Sequence, residues 1–179
     1  MKELTDSGVL EMLDTQYPDL LLDYVQLADD TPYAGCASHK NAVIAAIAAL
    51  DKRVRVGNSL KHPPLTVESD KMAGKPYPTD MFFAVLRSDE EHPVRDLCRM
   101  LYWDAFAFEP YPTYGRAEFQ QINAVLFPPH ARDTLEIYCW NDDFSNYFDD
   151  GKYWWGTAMW SVWDPVYQRF TVIGASLID

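Results

Sequence analysis

The chain has 179 residues, of which 48% are hydrophobic and 23% charged, a content that fits one folded domain over 1–179 and excludes a largely disordered chain. A net charge of -12 excludes the cationic face that nucleic acid requires, and favours either a basic protein partner or plain solubility. The aromatic share of 15% is the unusual quantity.

At the start, Met1-Lys2-Glu3-Leu4 leads into no long apolar segment, so no secretory leader is expected, and the longest apolar run, 42–50, is too short to cross a bilayer. Residues 4–14 read as a helix capped by Thr5, Asp6 or Ser7. After Tyr17-Pro18 a second helix is predicted, with Leu20, Leu21, Tyr24, Val25 and Ala28 as its buried stripe. The alanine-rich run 37–53 carries Val43, Ile44, Ala46, Ile47 and Leu50 at helical spacing and predicts a closely packed central helix.

Residues 57–80 hold glycine and proline clusters and no periodic stripe, so they read as a long loop. Lys61, Lys71 and Lys75 make it a basic island, which either pairs with its own acidic surroundings or meets a ligand or partner. Residues 81–87 lean to helix with Thr79 or Asp80 as cap. A capping box at Ser88-Asp89-Glu90-Glu91 then opens a longer helix through Val94, Leu97, Cys98, Leu101, Ala105 and Phe108, stopped by Glu109-Pro110-Tyr111-Pro112. One more helix is predicted over 116–126, through Phe119, Ile122, Val125 and Leu126.

The last third reads as strands. Residues 134–140 alternate, with Leu135, Ile137 and Cys139 on one face and Glu136, Tyr138 and Trp140 on the other. An acidic, aromatic link follows over 141–152, and then strands over 153–164 and 168–175 about an Asp164-Pro165-Val166-Tyr167 turn. The middle strand is apolar on both faces, so both must be covered. The fold class expected is α+β, with N-terminal helices packed on a C-terminal antiparallel β-meander of about three strands.

Cys36, Cys98 and Cys139 form no CxxC pair and are odd in number, which predicts buried free thiols and a cytoplasmic protein. Cys36 at a helix start, with His39 about a turn on, is also the raw material of a thiol nucleophile and hence of a small hydrolase. His39, His62, His92 and His130 lie at no metal-ligand spacing, and neither metal nor other cofactor is expected. Asp142, Asp143, Asp149 and Asp150 crowd into one link, where Phe144, Tyr147 and Phe148 break the alternation of a calcium loop.

Those carboxylates, with Phe144, Tyr147, Trp154 and Trp155, instead have the composition of a partner-binding surface: rigid aromatics as anchors and carboxylates that attract a cation. Small acidic inhibitors and immunity proteins that neutralise basic toxins share this composition. The reading is therefore a non-enzymatic acidic protein of inhibitor or immunity type that binds a basic protein, not nucleic acid or membrane. Acidic residues among aromatics also suit a carbohydrate-binding or hydrolysing site on the 142–155 segment, which needs a concave cleft.

Overall fold

A computed structural model of the protein describes residues 1–5, 8–57, 63–86, 94, 98, 100–108, 114–154 and 156–177, with backbone alone for 54–57. Its strands are β1 (Lys2–Glu3), β2 (Asp23–Ala28), β3 (Gly74–Pro76), β4 (Glu136–Trp140), β5 (Gly156–Asp164) and β6 (Arg169–Leu177). Its helices are α1 (Val9–Gln16), α2 (Cys36–Gly57), α3 (Thr79–Phe82), α4 (Tyr102–Phe106), α5 (Arg116–Leu126) and α6 (Asp149–Tyr153). The strands make one antiparallel sheet in the order β1-β2-β6-β5-β4-β3.

This corrects the expected C-terminal meander of about three strands: the sheet has six, and they come from both ends of the chain. Residues 18–28, read as a helix, contain β2, which pairs with β6 from Asp23↔Gly174 to Ala28↔Arg169. Four successive residues of β2, Tyr24 to Leu27, are buried, so the strand carries no alternation to separate it from a buried helix. With two and three residues, β1 and β3 are too short to leave a period at all.

The side chains of the sheet divide by parity, as the pleat requires. Tyr24, Ile137, Cys139, Ala158, Trp160, Val162, Ile173 and Ala175 face one core, roofed by Leu13 of α1, Phe82 of α3, Tyr102 of α4 and Phe119 and Ile122 of α5. The opposite core joins Val25, Leu27, Trp140, Met159, Trp163, Phe170 and Val172 to Ala42, Val43, Ala46 and Ile47 of α2. A buried 2.8 Å hydrogen bond between the Tyr24 and Tyr102 hydroxyls fastens β2 to α4. The two faces assigned from sequence to β4 are those observed, and both faces of β5 are covered, as its apolar run requires.

The helices follow the sequence unevenly. The predicted span of α5 is the observed one, with Phe119, Ile122 and Leu126 buried, Val125 of the predicted stripe exposed, and the Glu118 carboxylate accepting the Gly115 N–H at 2.9 Å. α2 extends the 37–53 prediction at both ends, and α1 begins later than 4–14 proposed, at Val9 after a left-handed Gly8. The candidate caps Asp6 and Ser7 lie outside the described residues, as do the 88–91 capping box and the 109–112 stop. The long helix through Val94 and Phe108 is corrected: Leu101 is extended (φ -75°, ψ 152°) and only Tyr102–Phe106 is helical beyond it. Val94, Cys98, Leu101 and Ala105 are nonetheless buried, so the spacing reported burial without one continuous helix.

The stretch read as a loop over 57–80 holds more order than its composition suggests. Asn141 holds it from the end of β4, accepting the Ala73 N–H at 2.7 Å and donating to the Lys71 carbonyl at 3.0 Å, and β3 then pairs with β4. Asn146 bonds likewise to Thr66 and Pro64. Lys71 pairs with Glu68 at 2.7 Å, the pairing with acidic surroundings weighed for this basic island, of which Lys61 lies outside the described residues.

Candidate functional site

The Cys36 and His39 pair is separated by the fold. Cys36 is exposed, a correction to its expected burial, whereas Cys98 and Cys139 are buried. His39 is fully buried between α2 and the sheet, and both its ring nitrogens are taken. The Trp140 indole N–H donates to Ser161 Oγ at 2.8 Å, so the Ser161 hydroxyl is free to donate to His39 Nδ1, also at 2.8 Å. On the far side Tyr33 donates to Glu136 Oε2 at 2.7 Å and accepts from His39 Nε2 at 3.0 Å.

One direction of donation therefore runs along Trp140, Ser161, His39, Tyr33 and Glu136, and it fixes His39 as the neutral Nε2–H tautomer. Burial pushes its pKa down to about 4, outweighing the bond to Ser161. Burial and the Glu136 carboxylate push the Tyr33 hydroxyl upward. Ser161 is itself fully buried. The constellation is a polar strut through the core, with no nitrogen left to activate a thiol at Cys36.

The acidic link sorts its residues into an inner and an outer set. Phe144 and Phe148 are fully buried and meet edge to face at 5.3 Å against the α2 core. Ser145 Oγ caps a 3₁₀ turn over Asn146–Phe148 by accepting the Tyr147 N–H. The half-buried Tyr147 donates its hydroxyl to Asp23 Oδ2 at 2.7 Å. Asp142 Oδ2 accepts from Thr157 on β5 at 2.6 Å. Phe144, Tyr147 and Asp142 thus hold the link to the body of the protein.

The outer set lies on and after α6. This helix seats on β6 through Gly151, where a Cβ would come within 2.7 Å of the Gly156 carbonyl oxygen and 2.9 Å of the Leu177 nitrogen. Its N–H donates to Ser176 Oγ at 3.1 Å. That seating leaves Asp149, Asp150, Tyr153 and Trp154 exposed, the two aromatics by 86% and 66%. Asp143 is also exposed and lies 3.6 Å from Lys152. Trp155 lies outside the described residues.

Of the predicted surface, Asp143, Asp149, Asp150 and Trp154 are brought to the outside, and Tyr153 joins them. The tryptophans Trp140, Trp160 and Trp163 are buried. Among the described residues no cluster of His, Cys, Asp and Glu could hold a metal ion, and no helix is long and apolar enough to cross a membrane. In comparisons with known proteins, no family model, no curated protein and no solved structure matches the chain.

Proposed function

We propose that the chain is a non-enzymatic binding protein of inhibitor or immunity type, which holds a basic protein partner on the surface formed by Asp143, Asp149, Asp150, Tyr153 and Trp154. The observation that carries this reading is the exposure of two adjacent large aromatics, Tyr153 at 86% and Trp154 at 66%, in a chain that buries Trp140, Trp160 and Trp163. Adjacent exposed rings have the size and rigidity of interface anchors, and covering them with a partner recovers apolar burial. The neighbouring carboxylates and the net charge of -12 select the sign of that partner.

The expected division of labour is kinetic. Reversing charge with Asp143→Lys, Asp149→Lys and Asp150→Lys together should slow association with the basic partner by about tenfold or more and flatten its salt dependence, because exposed charges act on encounter over a Debye length. The dissociation rate should change far less. An association rate unchanged across salt concentrations would show that these carboxylates do not steer the partner.

A further inference from the structure

Between α1, β2 and the middle of α2 a cleft of about 230 Å³ is walled by Leu10, Leu13, Tyr17, Leu22 and Tyr24, with Asp14, Asp23 and Arg53 as its charged groups. It widens outward past Glu3 and Glu11. Arg53 is already employed, since its Nη2 lies 2.6 Å from Glu3 Oε1 and its Nη1 donates to the Tyr24 carbonyl at 3.0 Å. Glu11 and Asp14 form no ion pair among the described residues, whereas burial pushes the Asp23 carboxyl upward although it already feels the Arg53 charge.

Asp23 is the decisive group. One of its oxygens, Oδ2, accepts from Tyr147, while Oδ1 has no protein donor among the described residues, and the residue lines the cleft. A carboxylate as buried as that of Asp23 lacks the hydration it would have in open water, and a charged donor is the partner that compensates it best. The inner volume lies below the range of pockets for drug-sized ligands and suits the end of one long side chain, entering through the outer part of about 640 Å³. Leucines standing beside carboxylates match a stem of methylenes ending in a cation.

We propose that this cleft receives a single basic side chain, an arginine of the partner, with its guanidinium bonded to Asp23 and its stem on Leu10, Leu13 and Leu22. The assignment rests on the reading of a basic protein partner and adds to it a second point of contact. The two points are mechanically joined, because the turn that carries Tyr147 onto Asp23 runs directly into α6 and its exposed Tyr153. Arginine fits better than lysine here because a planar fork can bond Asp23 Oδ1 and a rim carboxylate together.

The test is an NMR titration of the isotope-labelled protein with acetyl-arginine amide at low ionic strength, beside the neutral isostere acetyl-citrulline amide. Expected are saturable shifts at Leu13, Asp23 and Tyr24, binding of the citrulline compound at least tenfold weaker, and a loss of at least tenfold in Asp23→Asn, which keeps an acceptor for Tyr147. Tyr153→Ala with Trp154→Ala should bind the probe like the wild type, so a failure of the α6 surface is distinguishable from a failure of the cleft. No saturable shift at the cleft, equal binding of the two compounds, or undiminished binding by Asp23→Asn would overturn the assignment.

Discussion

Acidification from pH 6.5 to 4 is expected to remove up to about 3 kcal/mol of folding stability through His39 alone. The unfolded chain protonates this imidazole near its ordinary pKa of about 6.5, whereas the folded protein refuses the proton until about pH 4. In that window the unfolded state binds more protons, so stability rises with pH, is complete above the unfolded value and is lost as pH falls to the folded one. Each unit of depression is worth about 1.4 kcal/mol. Urea unfolding at intervals from pH 7 to 4.5 should show this slope in the wild type. In His39→Gln, which keeps a donor and an acceptor but no titratable proton, the slope should be much shallower. Parallel slopes would mean that His39 takes up a proton in the folded state without penalty, and the neutral strut assigned to it would be wrong.

Gly151→Ala is expected to cost about 2–3 kcal/mol, the upper part of the range for overpacking, because the new methyl meets main-chain atoms instead of yielding side chains. Gly156 O, Leu177 N and Ser176 Cα all lie within 2.9 Å of it, and β5 and β6 are central strands that cannot shift locally. The cheapest relief is to lift α6 off β6, which breaks the bond from Gly151 N–H to Ser176 and displaces Tyr153 and Trp154. Partner binding should therefore fall together with stability, and chemical denaturation beside a binding assay reads both. A variant within about 0.5 kcal/mol of the wild type, the range of ordinary surface substitutions, would show that α6 is not seated as described.

The sequence made legible those elements whose environment differs between their faces. α5 was readable because its apolar residues recur on one side of the helix, and β4 because Ile137 and Cys139 alternate with Glu136 and Tyr138. β5 was readable as a strand covered on both faces because apolar residues fall at both odd and even positions, Met159 and Trp163 against Ala158, Trp160 and Val162, up to the Asp164 turn, where Asp164 Oδ1 accepts the N–H groups of Val166 and Tyr167. β2 was hidden by the same burial on both faces, since its neighbours Leu20 and Leu21 complete a plausible helical stripe with Tyr24, Val25 and Ala28. The cleft at Asp23 was lost with it.

The site was legible in composition and not in arrangement. Acidic and aromatic residues stand out along 141–155, but a sequence gives no sign that Phe144 and Phe148 point inward while Tyr153 and Trp154 point outward. The bonds that decide this run from Tyr147 to Asp23 and from Asp142 to Thr157, and the first spans most of the chain. The same holds for His39: its spacing from Cys36 suggested a nucleophile, and its actual partners, Ser161 and Tyr33, are visible only once α2 lies on the sheet.

The most direct measurement is comparative capture from cell extract at moderate salt, using immobilised wild type and the Tyr153→Ala, Trp154→Ala double variant, with dissociation rates then followed on the purified captured protein. A basic protein retained by the wild type and released by the variant about 30-fold faster or more, the consequence of losing a hot spot of about 2 kcal/mol, is the expected result. Recovery of no basic protein, or equal retention by both, would contradict the assignment of the α6 surface as a binding site.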